Sequence, residues 1–91
     1  MNNAEELIKK ADIQKIGEEG AKIYEKIKSQ HEPEHNGKFL AIDIDTEESF
    51  LGNTSSEAVE AARRSYPNKV FYVVKIGSAA ADILARLEKD L

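Results

Sequence analysis

The sequence predicts an α+β domain that combines a three-stranded antiparallel sheet with helices. Three observations between residues 37 and 77 lead to this prediction. An apolar run is followed by a polar turn and a short second run, then by a capped Ala-rich segment, then by a strongly β-branched run. This order indicates strand, strand, helix, strand. We therefore expect one domain over residues 1–91, with a helical segment at 3–30, a ββαβ core at 37–77 and a C-terminal helix at 78–91.

The N-terminal segment has helical periodicity. Ile13, Ile16, Ile23 and Ile27 recur at alternating steps of three and four residues if Gly20 supplies the missing position, which defines one apolar stripe. A glycine inside a helix costs about 1 kcal/mol relative to alanine. We therefore expect Gly20 to mark close packing of the helix on its neighbour.

Turn-forming residues separate this helix from the sheet. Pro33 stops the helix, and Asn36-Gly37 is typical of a turn. The runs that follow predict a first strand at residues 38–45, a second at Ser49–Gly52 and a third at 69–76.

Two capping signals place the remaining helices. Thr54 and Glu57 have the spacing of a capping box, in which each side chain accepts the backbone N–H of the other residue. This predicts a helix over residues 54–65. Ser78 is a candidate N-cap for a last helix that reaches Leu91.

Both faces of the predicted sheet are apolar. A right-handed connection between the second and third strands puts the first strand in the middle, in the order 2-1-3. One helix layer leaves the other face bare, so the N-terminal helix, the C-terminal helix or a second subunit must cover it. We therefore expect a homodimer. The interface candidates are Phe39, Ala41, Phe71, Val73, Leu84 and Leu87.

Composition narrows the class of protein. The net charge of −4 argues against an unspecific nucleic-acid binder and against an anionic membrane surface. The chain has no cysteine, no signal-peptide pattern and no stretch approaching the ~20 apolar residues that span a bilayer. We expect a cytoplasmic protein without a cofactor.

Residues 31–35 match the H-E-x-x-H pattern of zinc proteases. That chemistry needs His31 and His35 on one helix face, with Glu32 activating a zinc-bound water. Pro33 costs about 3 kcal/mol inside a helix, and a turn follows directly. We therefore interpret the segment as a solvated linker and assign no metal to it.

Asp43 and Asp45 are the second candidate pair. Residues two apart on a strand share a face, so the two carboxylates can hold Mg²⁺ for hydrolytic chemistry. The sequence offers no neighbouring Lys or His with a second role, and acidic residues at a strand end also discourage edge pairing. A metal-dependent hydrolase that uses Asp43 and Asp45 remains an alternative.

Arg63, Arg64 and Lys69 form a small basic patch near the end of the predicted helix. Their charges suit the negative end of the helix dipole. Weak nucleic-acid binding through this patch is a second alternative, although the acidic total argues against it.

The stretches that carry a family resemblance lie at residues 20–28, 34–39, 50–54, 57–58, 66–67, 70–72 and 75–77. They resemble a group of small bacterial proteins, frequent in cyanobacteria, and together with the segments between them span about two-thirds of the chain. That group has no established activity, so the resemblance supplies no catalytic residues.

The turn Gly52-Asn53-Thr54 before the Ala-rich helix also resembles the ββαβ domain of HicB-type antitoxins. This second resemblance implies a regulatory role through binding of another protein. The sequence shows no obvious counterpart of the DNA-binding segment that many such antitoxins carry. From residues and resemblance together, we expect a non-catalytic protein-interaction or regulatory module.

Overall fold

The computed structural model describes residues 13–78 and 81–83. Helix α1 is followed by a 3₁₀ turn, two strands, a second helix and two further strands. Their bounds are α1 Ile13–Ile27, the 3₁₀ turn Lys28–Gln30, β1 Phe39–Ile42, β2 Ser49–Gly52, α2 Ser55–Ser65, β3 Tyr72–Lys75 and β4 Ala81–Ile83. Residues 3–12 of the predicted N-terminal helical segment lie outside the described part of the chain.

The strands form one antiparallel sheet in the order β2-β1-β3-β4. The predicted α+β class and the order 2-1-3 are therefore confirmed, with β1 between β2 and β3. The first and third strands are shorter than predicted. β1 ends before Asp43, because the chain turns there: the Glu47 N–H donates to the Asp43 carbonyl at 2.7 Å.

The fourth strand corrects the prediction for the C-terminal segment. Ala81–Ile83 lies within the predicted last helix but pairs with β3, with Ala81 opposite Val74. This pairing satisfies backbone groups along the outer edge of β3. The helical periodicity of the sequence does not reveal such a contact between strands. The rest of the predicted helix, including Leu84 and Leu87, lies outside the described residues.

Each face of the sheet is covered by one helix of the same chain. α1 covers the face that carries Leu40 and Ile42, and α2 covers the opposite face. The core under α1 comprises Ile16, Ile23, Tyr24, Leu40, Ile42, Tyr72, Val74 and Ile76. The core under α2 comprises Ala41, Ala58, Val59, Ala62, Phe71 and Val73, with Phe39, Phe50 and Tyr66 packed against it.

This arrangement explains what covers the face that the sequence analysis left bare. Ala41, Phe71 and Val73 are buried and Phe39 is half-buried, all beneath α2. The sequence assigned this covering role to a terminal helix or a second subunit, whereas the internal helix performs it. A partner cannot reach the three buried side chains without displacing α2.

Two glycines let the helices approach the sheet closely. A Cβ added to Gly20 of α1 would lie 2.6 Å from the Tyr72 Cβ and closer still to the Tyr72 ring. A Cβ added to Gly52 of β2 would lie 2.9 Å from the Ala58 Cα of α2. Close packing at Gly20 was predicted and is confirmed. Ile13, predicted to belong to the same stripe, is 41% exposed instead.

The N-terminus of α2 is capped nearly as predicted. Thr54 Oγ1 accepts the Glu57 N–H at 3.1 Å. The Glu57 carboxylate accepts the Asn53 N–H at 2.9 Å instead of the Thr54 N–H. The reciprocal half of the capping box is therefore shifted by one residue toward the N-terminus, and both ends of the turn remain hydrogen-bonded.

Replacing Gly20 by alanine should destabilise the protein, although alanine favours helices. The new methyl group meets the Tyr72 ring, so α1 must move off the sheet; we expect a net loss of about 1–3 kcal/mol. Urea unfolding followed by circular dichroism measures this loss. Lys22→Ala, an exposed change in the same helix, is the control and should stay within about 0.5 kcal/mol. A neutral or stabilising Gly20→Ala would contradict the close contact.

Candidate functional site

A cluster of charged groups lies where β1 ends. Asp43 directly follows β1 and is 1% exposed, although it is an acidic residue. Its Oδ1 accepts the backbone N–H groups of Asp45 at 2.9 Å and Thr46 at 3.4 Å. The Asp43 carboxylate therefore holds the β1–β2 turn closed from inside, as an aspartate commonly does in a turn.

Lys69, which lies 26 residues after Asp43 in the sequence, completes this cluster. Its Nζ lies 3.1 Å from Asp43 Oδ2, 3.3 Å from Asp43 Oδ1 and 3.1 Å from Asp45 Oδ2. The ammonium thus occupies the position between the two carboxylates that the sequence analysis considered for Mg²⁺. A buried carboxylate needs such a partner, since an unpaired charge is strongly disfavoured inside a protein.

Lys69 keeps its positive charge in this setting. Burial lowers the pKa of the ammonium, but the hydrogen bonds to Asp45 and Asp43 and the negative charges of both carboxylates together raise it by more, so the pKa lies above the ordinary 10.5. The ammonium also lies 5.3 Å from the centre of the Tyr66 ring, within cation–π range. The Lys69 ammonium therefore has no lone pair to accept a proton at neutral pH, and its contacts join the two carboxylates and the Tyr66 ring.

This geometry bears on both alternatives from the sequence. The carboxylates of Asp43 and Asp45 are engaged by Lys69, and no group of three or more His, Asp or Glu side chains in residues 13–78 could hold a metal ion. In the basic patch, Lys69 faces these carboxylates, Arg63 is half-buried and Arg64 is exposed. The acidic pair and Lys69 therefore contact each other, so neither is free to bind a metal ion or a nucleic acid without breaking this contact.

Tyr24 and Glu32 form a second polar contact, beside a cleft of about 430 Å³ between α1 and β3. The Tyr24 hydroxyl donates to the Glu32 carboxylate at 2.5 Å and accepts the Gly77 N–H at 3.2 Å. Burial, and then the hydrogen bond to Glu32, raise the pKa of Tyr24. Since the hydroxyl is held from both sides and stays protonated at neutral pH, it ties the turn after α1 to the end of β3.

The H-E-x-x-H segment is a tight turn whose histidines are half-buried, which corrects its interpretation as a solvated linker. The His35 N–H donates to the His31 carbonyl at 2.7 Å, so the two residues lie one turn apart. Their rings are 5.7 Å apart, centre to centre. Burial, and then the neighbouring His35, lower the pKa of His31. Glu32 is bonded to Tyr24, so it is not placed as the base of a zinc protease.

The outer edge of β2 is a surface that the sequence analysis did not assign to particular residues. The Asp43 N–H donates to the Glu48 carbonyl at 2.9 Å, and such bonded pairs recur at every second residue of an antiparallel ladder. Phe50, opposite Ala41, therefore bonds to β1, whereas the backbone groups of Ser49 and Leu51 point outward. Leu51 is 40% exposed. Sequence patterns predict strands but do not show which strand ends up at an edge.

Comparisons with models of known protein families, with curated proteins and with solved structures found no match. Within residues 13–78 and 81–83, neither helix is long and apolar enough to cross a membrane.

Replacing Asp43 or Asp45 by alanine should have very different effects on stability. Asp43→Ala removes two turn hydrogen bonds and a buried charge partner, for an expected loss of about 2–3 kcal/mol. Asp45→Ala removes an exposed contact to the same lysine and should cost less than about 1 kcal/mol. Chemical unfolding of both variants at pH 7 without added metal makes the comparison. Equal, small losses would contradict a structural role for Asp43.

Stability should fall as the pH rises above about 10. Tyr24, Tyr66, Tyr72 and Lys69 all have a raised pKa in the folded protein. The folded chain then holds more protons than the unfolded chain in this range, so the free energy of unfolding decreases with increasing pH. Urea midpoints at pH 8 and pH 10.5 measure the change, and Tyr24→Phe should show a smaller decrease. A constant or rising midpoint would contradict these environments.

Proposed function

We propose that the protein is a non-catalytic protein-interaction module that acts as a homodimer, with the outer edge of β2 as its binding surface. The observation that carries this proposal is an uncharged strand at the edge of the sheet, whose outward backbone groups have no partner among the described residues. Leu51 is exposed there, and the backbone groups of Ser49 and Leu51 point outward. Addition of a strand to such an edge is a common mode of recognition. The partner that we propose is a second copy of the chain.

The register of β2 supports pairing between two copies. If two β2 strands pair antiparallel about a two-fold axis at Phe50, Ser49 of each copy lies opposite Leu51 of the other. Those are the residues whose backbone groups point outward, so each pair can exchange both hydrogen bonds. A two-fold contact uses the same patch on both copies, which this strand provides.

The charges around the edge also permit this contact. Ser49–Gly52 contains no charged residue and no proline, the usual devices that protect an edge strand. The preceding carboxylates have partners within the chain: Glu47 contacts Lys26 at 3.2 Å, and Glu48 accepts the Tyr66 hydroxyl. The net charge of −4 per chain opposes association, so the dimer should tighten as salt screens that repulsion.

The absence of a catalytic arrangement at the polar clusters supports a binding role. Asp43 and Asp45 hold Lys69, and Tyr24 holds Glu32. A regulatory role of the antitoxin type, which the resemblance implies, belongs to the same proposal because such proteins act by binding another protein. No observation favours the hydrolase through Asp43 and Asp45 or the nucleic-acid binder through Arg63, Arg64 and Lys69 over this role.

Placing a charge on the edge should separate the proposed dimer. Leu51→Lys removes apolar contact and puts like charges close together, so we expect the dimer dissociation constant to rise at least tenfold, equivalent to about 1.4 kcal/mol. Sedimentation velocity over a concentration series measures the constant. Ile13→Lys is the matched control, because Ile13 is exposed to the same extent and lies at the start of α1.

Three outcomes would count against this function. A wild-type monomer at high micromolar concentration would overturn the homodimer. Equal effects of Leu51→Lys and Ile13→Lys would place the contact elsewhere. A dimer that weakens with added salt would show that charge attraction, and not the neutral edge, joins the copies.

A further inference from the structure

A second feature, independent of the β2 edge, is the pair of imidazoles in the turn after α1. Backbone hydrogen bonds fix this turn at several points. Lys28 accepts the N–H groups of His31 at 2.9 Å and Glu32 at 2.8 Å, and His31 accepts the N–H of His35 at 2.7 Å. The Tyr24 hydroxyl holds the Glu32 side chain from outside the turn. The two rings are therefore carried by an anchored segment.

Both rings contain a buried nitrogen without a partner. His31 Nδ1 and His35 Nδ1 are inaccessible to solvent and have no hydrogen bond to any described residue. Leaving a buried polar atom unsatisfied costs about 1–3 kcal/mol, and native proteins contain few such atoms. Two of them on adjacent rings of one turn indicate a ligand shared by both.

The spacing of the rings fits a shared metal ion. With Zn–N bonds of about 2.0–2.1 Å, an ion on the nitrogen axis lies about 3.2 Å from each ring centre. Ring centres 5.7 Å apart then subtend about 125° at the ion, near tetrahedral or trigonal geometry. The rings are tilted by 43°. A shared ion requires their two Nδ1 atoms to converge on one point.

We propose that His31 and His35 form a two-imidazole site that binds a divalent late transition metal of the zinc type through Nδ1. Imidazole suits Zn²⁺, Cu²⁺ and Ni²⁺, whereas Mg²⁺ prefers oxygen ligands. Glu32 is engaged by Tyr24, and residues 13–78 offer no group of three metal-ligating side chains. Because both Nδ1 atoms are inaccessible to solvent in this conformation, the turn must open slightly to admit the ion, and water or a second molecule then supplies the remaining ligands.

The composition of the chain makes this proposal directly testable. It contains two histidines, so the imidazole region of the ¹⁵N spectrum of untagged protein reports on these two rings alone. On titration with Zn²⁺ we expect the Nδ1 resonances of both rings to shift together, on one saturation curve. Mg²⁺ should leave them unchanged. Shifts confined to Nε2, shifts of one ring alone, or no shift would overturn the proposal.

Variants provide the second measurement. His31→Gln and His35→Gln should each weaken Zn²⁺ binding at least tenfold by isothermal titration calorimetry. Asp45→Asn, at the exposed side of the carboxylate cluster, is the matched control and should leave the affinity unchanged. Circular dichroism verifies that each variant folds, and the wild-type spectra decide the question if one does not. Full affinity in either glutamine variant, or a tenfold loss in Asp45→Asn, would place the metal elsewhere.

Discussion

A sheet that is apolar on both faces must be covered on both faces, and the rest of this structure follows from that constraint. β1 and β3 alternate buried side chains above and below, so α1 packs on one side and α2 on the other. The two helices approach closely because Gly20 and Gly52 carry no side chain at the contact points. Burial of apolar surface in these two layers is the main source of stability in so short a chain.

Because helices cover both faces of the sheet, the polar side chains that contact each other lie at the turns and edges. Asp43 and Lys69 close the end of β1, Tyr24 and Glu32 tie down the turn after α1, and the two histidines sit within that turn. These groups are mostly engaged with each other, and Lys69 stays charged because its carboxylate partners raise its pKa. The edge of β2 differs from them, since its outward backbone groups have no partner among the described residues. That difference directs our proposal toward binding through the edge.

Local chemistry was predictable from the sequence, and long-range pairing was not. Three features were predicted because their causes are local. The bounds of β2 and the Thr54 cap depend on neighbouring residues. The close contact at Gly20 follows from spacing along the helix and from the cost of a glycine within it. Lys69 lies 26 residues from Asp43, so nothing near the acidic pair revealed its partner. β4 and the covering role of α2 depend on where the strands meet in space. The histidines were assigned to a linker because Pro33 breaks a helix, yet a single turn still sets them side by side.

Amide hydrogen exchange along β2 reports directly on whether its outer edge is open and pairs with a second copy. At low protein concentration we expect slow exchange at Phe50, which bonds to β1, and fast exchange at Ser49 and Leu51, whose amides face outward. Raising the concentration should slow Ser49 and Leu51 and leave Phe50 unchanged, because only the outward amides enter an edge-to-edge contact. Protection of Ser49 and Leu51 equal to that of Phe50 at the lowest concentration, or fast exchange at every concentration, would contradict an open edge that pairs with a second copy.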